Sequence, residues 1–262
     1  MKKPLSVLVA ATMSMAASAG NLTSVVYIVD VSGSMAPVLP NVSRTIVESV
    51  DSEAMKKLKK SLVLFEGCGI DTAKVAVPLA SNNDEAIKTA AKAMRPGGST
   101  DIVSGLMRAK DIVDKNLQQN GDCASLVLFT DDEDTCGNGN KHFELLKQMK
   151  TTCAEKNATF SLDVITTTKD EEVKLFLDQL SEIGGGKAHT VVTLDEMNEV
   201  LERIVEQRRK KNGGVPLTST QDKPEAGSGN TQPKPVAKPR PAEKPAPAQQ
   251  GGFNPKQEEK RP

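Results

Sequence analysis

Short, nearly continuous apolar runs alternate with longer amphipathic stretches between about Val25 and Lys211, the pattern of parallel strands joined by crossover helices. Val25–Val29, Leu62–Phe65, Ala124–Phe129 and Phe160–Ile165 are rich in β-branched and aliphatic residues, as strands covered on both faces require. Ala188–Val192 is a weaker sixth candidate. Residues 73–79 alternate apolar and polar positions and follow the turn-prone Gly67-Cys68-Gly69, which predicts a hairpin partner at a sheet edge, where Pro78 is tolerated. Val173, Phe176, Leu177, Leu180 and Ile183 form a helical stripe, with Thr168 and Glu171 as its capping box and Gly184 as its stop. Thr193 and Glu196 open a last helix in the same way, with Met197, Leu201 and Ile204 on one face. The basic run Arg208–Lys211 closes it at the negative end of its dipole. The fold class expected is α/β: a doubly wound, mainly parallel sheet of about six strands with one antiparallel edge strand and helices on both faces.

The two ends read differently. Lys2 and Lys3, the apolar run Leu5–Ala17 and Ala17-Ser18-Ala19 have the order of a secretory signal, with cleavage expected after Ala19. The run is shorter than the roughly 20 residues of a membrane span and contains Ser6, Thr12 and Ser14. No later segment approaches a span. From 212 to 262 the chain turns to Pro, Lys, Gln, Gly and Ala, with too few large apolar side chains to offset the entropy of ordering it, so a disordered tail is expected. Proline recurs between 233 and 247 and favours an extended spacer. The expected organisation is a signal at 1–19, a folded domain at 20–211 and a tail at 212–262.

Lys plus Arg and Asp plus Glu both number 34, so no whole-chain field draws in nucleic acid or an anionic membrane. Cys68, Cys123, Cys136 and Cys153 form no CxxC pair, and His142 and His189 lie far from zinc-type spacing, which favours disulfides and an oxidising compartment, periplasmic or secreted.

The candidate chemistry is concentrated in three segments. Asp30-Val31-Ser32-Gly33-Ser34 follows a buried strand directly and offers one carboxylate and two hydroxyls at alternate positions, the oxygen donors a hard cation takes. The same residues also suit an ordinary helix-capping loop. Pro96-Gly97-Gly98-Ser99-Thr100-Asp101 is a tight loop opening a helix over Ile102–Leu117, and residues 126–131 form a buried strand ending in Asp131. In an open α/β sheet such segments lie beyond the carboxyl ends of the strands, where ligands bind.

In these three segments the chain, over about residues 22–206, resembles the von Willebrand factor type A domain, whose metal-ion-dependent adhesion site combines a D-x-S-x-S loop, a Thr in a Gly-rich loop and an Asp after a hydrophobic strand. The resemblance implies metal ligands Asp30, Ser32, Ser34, Thr100 and Asp131 for Mg2+, or Mn2+ or Ca2+, and an open position for a carboxylate supplied by a protein partner. It implies a binding module and no catalytic residue. Asp132 departs from the family, where Gly is usual. Asp101, Asp132, Glu133 and Asp134 stand near the site, where they either repel acidic partners, hold a second ion or form a solvated acidic loop. With this topology Cys68 and Cys136 fall on the metal face and Cys123 and Cys153 on the opposite one, which implies the pairs Cys68–Cys136 and Cys123–Cys153. Two other readings are a metal-dependent hydrolase or phosphoryl-transfer enzyme with Asp30 as nucleophile, and a scaffold acting through its Pro-rich tail.

Overall fold

The computed structural model describes residues 23–211, with side chains as far as residue 209; the expected signal at 1–19 and tail at 212–262 lie outside them. Six strands, β1 (Ser24–Asp30), β2 (Lys59–Phe65), β3 (Ala73–Ala80), β4 (Ser125–Phe129), β5 (Ser161–Thr166) and β6 (Gly185–Thr190), form one sheet in the order β3-β2-β1-β4-β5-β6. All neighbours pair in parallel except β2 and β3, which are antiparallel, so β3 is the expected antiparallel edge strand. Five helices lie between them, α1 (Leu39–Val50), α2 (Asp84–Lys92), α3 (Ile102–Asn120), α4 (Lys141–Glu155) and α5 (Glu171–Ile183), and α6 (Leu194–Lys211) follows β6.

The period of β1 shows why the fold is doubly wound. Val25, Tyr27 and Val29 join one core with Leu39, Val42 and Ile46 of α1, Ile87 of α2 and Met197, Leu201 and Ile204 of α6. Val26 and Ile28 join the other, with Ile102 and Leu106 of α3, Leu146 and Met149 of α4 and Leu177 and Leu180 of α5. Alternate residues face opposite sides, so a strand apolar throughout its middle is the sequence of a sheet with helices on both faces. Among the described residues no helix is long and apolar enough to cross a membrane.

Two expectations are corrected. The N-cap of α5 is Asp170, whose carboxylate accepts from the amides of Glu172 (2.8 Å) and Val173 (3.2 Å), while Thr168 accepts from the amide of Asp170 one turn earlier. A carboxylate adjoining the first turn meets both the orphan amides and the dipole, which a hydroxyl three residues from Glu171 does not. The Thr193–Glu196 capping box of α6 is present, with the Glu196 amide donating to Thr193 and its carboxylate accepting from the amides of Val192 and Thr193. The last strand begins at Gly185 rather than Ala188. Its opening residues are invisible to hydrophobic patterning because a side chain has no room: a Cβ built on Gly186 would lie 1.9 Å from the carbonyl oxygen of Leu162. Gly186→Ala should therefore push β6 from β5 and lower the unfolding free energy by at least about 2 kcal/mol, measured by urea denaturation. An unchanged midpoint would disprove that packing.

Candidate metal centre

β1 and β4 lie side by side, and the winding of the sheet reverses between them. Their carboxyl ends open into the crevice where open α/β sheets hold ligands. Asp30, the last residue of β1, has no solvent exposure. Its Oδ1 accepts from the amide of Ser32 at 2.8 Å and its Oδ2 from the hydroxyl of Thr130 at 2.7 Å. Ser32 Oγ lies 3.1 Å from Ser34 Oγ, and Ser34 Oγ donates to Asp131 Oδ1 at 2.9 Å. A continuous chain of polar groups thus runs from Thr130 through Asp30, Ser32 and Ser34 to Asp131.

The loop carrying Thr100 is tied to the loop after β1 by backbone bonds, and Thr100 itself bonds to Thr135. Gly97 N donates to Val31 O (2.7 Å) and Gly33 N to Gly98 O (3.2 Å), which ties the 96–101 loop to the loop after β1. Thr135 then accepts from Thr100 N through its hydroxyl (3.1 Å) and donates to Thr100 O through its amide (2.9 Å). Gly98 has φ +69°, and a Cβ there would lie 2.7 Å from Gly67 N, so only glycine lets the loops approach this closely.

Two of the acidic neighbours, Asp101 and Asp134, are tied into the loops by hydrogen bonds, while Glu133 is exposed. Asp101 is buried and accepts from the amides of Ser104 (3.0 Å) and Gly69 (2.8 Å) and from the amide side chain of Asn138 (2.9 Å). Asp134 accepts from the amides of Val103 and Cys136 and from Asn138. These two carboxylates pin the loops to one another. Sequence reasoning missed Thr130, Thr135 and Asn138 in this role; Thr130 stood directly before the candidate ligand Asp131 and was the most accessible of the three.

Cys68 is bonded to Cys136, with Cα atoms 5.3 Å apart, and Cys123 to Cys153, at 6.1 Å. The second bridge is buried, whereas Cys68 is exposed and Cys136 half-buried beside the site. The first bridge joins two loops that both hydrogen-bond to the loop carrying Thr100: Gly67 N donates to Ser99 O at 2.8 Å on one side, and Thr135 binds Thr100 on the other. Opening this bridge with Cys68→Ser and Cys136→Ser should loosen Thr100 and weaken divalent-cation binding about tenfold by calorimetry, because donors held less firmly lose more entropy on binding. Equal affinity in the oxidised protein and the double variant would show the clamp irrelevant.

The electrostatics favour a cation. Burial pushes the Asp30 carboxyl up to about 6, against the lowering effect of its bonds from Thr130 and Ser32, and Asp131 is also raised by burial. No lysine or arginine contributes to either shift. Oxygen donors of this kind, two carboxylates and neutral hydroxyls, suit a hard divalent ion. Among the described residues no three His, Cys, Asp or Glu side chains form a group that could hold a metal ion. His142 is buried between Phe143 and Phe176 with neither ring nitrogen hydrogen-bonded, and its pKa is lowered chiefly by burial.

An α/β domain with a chain of hydrogen-bonded carboxylate and hydroxyl groups at its switch point defines the class to which comparison can be made. Residues 25–133 match the family model described as von Willebrand factor type A domain. Over those residues the chain is similar to that family. Solved structures share the fold. A von Willebrand factor type A protein from Catenulispora acidiphila is 16% identical, with a TM-score of 0.55 over 72% of this chain and 43% of its own. The pilus adhesin SpaC from Lactobacillus rhamnosus GG, in an open conformation, is 14% identical, with a TM-score of 0.54 over 72% of this chain and 30% of its own. A proximal thread matrix protein from the mussel byssus, with zinc in its metal-ion-dependent adhesion motif, is 18% identical, with a TM-score of 0.51 over 71% of this chain and 48% of its own. This chain thus spans less than half of each of the three. No curated protein sequence matches it.

Proposed function

We propose that this protein is an exported binding module that holds one divalent cation, Mg2+ with Mn2+ or Ca2+ as alternatives, through Asp30, Ser32, Ser34, Thr100 and Asp131, and through it a carboxylate of a partner protein. The observation that carries this reading is the buried Asp30 carboxylate, which has hydroxyl and amide donors but no cationic side chain to balance it. Burying a charge without a counter-charge is costly, and a bound cation is the natural compensation. With few charged donors around it, such an ion would keep enough positive charge to attract an acidic side chain. Ser34, exposed at the rim, marks where the partner would approach.

Full burial of Asp30, with both oxygens accepting hydrogen bonds, makes it a poor nucleophile, and this favours binding over hydrolysis or phosphoryl transfer. The adhesin and the byssal matrix protein among the structures of like fold agree with a binding role in adhesion or envelope assembly. Two disulfides accord with export to a periplasm or beyond the cell. The signal at 1–19, the domain at 20–211 and the tail at 212–262 complete the proposed organisation.

Calorimetric titration of EDTA-treated protein with Mg2+, Mn2+ and Ca2+ tests the first half: one-site uptake at millimolar or lower concentration is expected, and no heat with any of them would sink the proposal. Capture of envelope proteins in the presence and absence of chelator tests the second half. The expected partner is released by EDTA.

A further inference from the structure

Beside the metal rim, α1 and α2 enclose a groove of about 360 Å3. We propose that the partner segment whose carboxylate reaches the cation also seats a large apolar side chain in this groove, so that the unit recognised is an Asp or Glu two residues from a Leu, Met or Phe. The inference rests on the cation-dependent binding proposed above and names the partner's chemistry at that same site.

The groove lies at one end of an antiparallel helix pair. Ser43 of α1 donates to the carbonyl of Ala91 of α2 at 2.9 Å, and farther from the metal Lys88 pairs with Asp51 at 2.6 Å. Toward the metal rim, Ala36 and Pro40 stand exposed on one wall and Lys92, Arg95 and Pro96 on the other. Leu39, Ala91 and Met94 are buried beneath them and make an apolar floor. No acidic residue lines the groove.

Both walls begin at the candidate cation site. Ala36 lies two residues beyond Ser34, and its amide donates to Gly33 O at 3.2 Å. Pro96 precedes Gly97, whose amide donates to Val31 O at 2.7 Å. Two residues of chain span at most about 7 Å. In an extended segment the side chains at i and i+2 point the same way and lie about 6.6 Å apart. A segment whose carboxylate completes the shell at Ser34 therefore delivers the side chain two positions along, and not the one between, to the mouth of the groove.

Charge and sequence select the occupant. Arg95 donates to the carbonyls of Lys92 and Met94 at 3.2 and 2.7 Å, which holds its guanidinium at the groove beside the exposed Lys92. These cations disfavour Lys or Arg at the apolar position and suit the acidic partner that the metal already requires. Residues 212–262 of this chain do not supply the unit: none of Asp222, Glu225, Glu243, Glu258 and Glu259 stands two residues from a Leu, Ile, Val, Met or Phe.

The test selects heptapeptides displayed on phage against the full chain in Mg2+, with elution by EDTA, while calorimetry follows Mg2+ uptake by the same protein. The expected result is enrichment of Asp or Glu two residues from Leu, Met or Phe. In synthetic peptides, replacing that apolar residue by Gly should weaken binding about tenfold, the effect of burying one such side chain. Amide shifts of Leu39, Ala91 and Met94 should appear with the apolar peptide and be lost with its Gly-substituted form. In Ala36→Phe, whose ring fills the mouth, the two peptides should bind equally, and the binding that remains shows the variant folded and loaded. Enriched acids with no apolar residue at that spacing, or with Lys or Arg there, overturn this inference and leave the cation reading standing. So does a tenfold preference that survives in Ala36→Phe. Absence of Mg2+ uptake by the wild type removes both readings. Mg2+-dependent self-association in analytical ultracentrifugation, with no peptide enriched, would assign the groove to a second copy of the chain and also overturn the inference.

Discussion

Asp30→Asn should abolish cation binding and, in EDTA at neutral pH, make the protein more stable than the wild type. The reasoning follows from where the proton resides. Burial raises the Asp30 carboxyl from its ordinary value of 3.8 to about 6 in the folded state. A group raised on folding contributes stability that is fully present below about pH 4 and is lost as the pH rises through about 6. At neutral pH the cation-free protein therefore has a buried, uncompensated carboxylate worth about 2–3 kcal/mol of lost stability. Asparagine keeps the shape and an oxygen for the Ser32 amide but removes the charge. Urea unfolding in EDTA should show the two proteins equal near pH 4 and the variant ahead by that amount near pH 7. Asp122 and Asp131, also raised by burial, and His142 and His189, which are lowered, remain in both proteins and largely cancel in the comparison.

Millimolar Mg2+ should reverse the order, because only the wild type gains the stabilisation that ligand binding adds by mass action. Cation affinity should also fall as the pH drops below about 6, where the proton competes for Asp30. Two results would be decisive against this account. An Asp30→Asn protein no more stable than wild type in EDTA would mean that the buried charge is already balanced. One that binds Mg2+ with wild-type affinity would remove Asp30 from the site.

The second large effect concerns Arg208. Asp163, 3% exposed in the middle of β5, accepts from Arg208 Nε at 3.2 Å and from Nη2 at 2.8 and 3.0 Å, and from the Lys187 amide at 3.0 Å. One ion pair thus ties α6 to β5 and reaches the backbone of β6. Arg208→Ala removes the charge partner and leaves the carboxylate buried, a change that costs about 3–5 kcal/mol. Adding Asp163→Asn to that variant should recover most of the loss, since a neutral amide still accepts from Lys187 and needs no counter-charge. A single-variant loss below about 1 kcal/mol would show that the pair is solvated in practice. No recovery in the double variant would place the loss in the packing of the Arg208 stem.

Patterning made most of the frame legible. Val25–Val29 and Ala124–Phe129 contain the sequence signal of doubly covered strands, and both are central in the sheet. β6 was displaced because its first residues are glycines, which are chosen for backbone contact with Leu162 and leave no hydrophobic trace. Asp163 inside an otherwise aliphatic run and Arg208 at the end of a helix have no local signal of their pairing, because each is explained only by a partner 45 residues away. The polar donors of the candidate centre divide in the same way. A D-x-S-x-S loop after a strand is a local pattern and can be seen; the placement of Thr100 by Thr135, and the use of Asp101 and Asp134 as pins between loops, cannot.

By itself the sequence determined the strands β1 to β5 and the helices α3, α5 and α6, since the periods of 2 and 3.6 follow from local backbone geometry. It also determined that each candidate donor segment would stand at the end of a strand or the start of a helix. Tertiary structure decided which strand ends meet. Ser34 and Asp131 are 97 residues apart and Asp30 and Thr130 are 100, and they touch because β1 lies between β2 and β4. That order is set by how two faces of helices share one sheet, and no local pattern contains it.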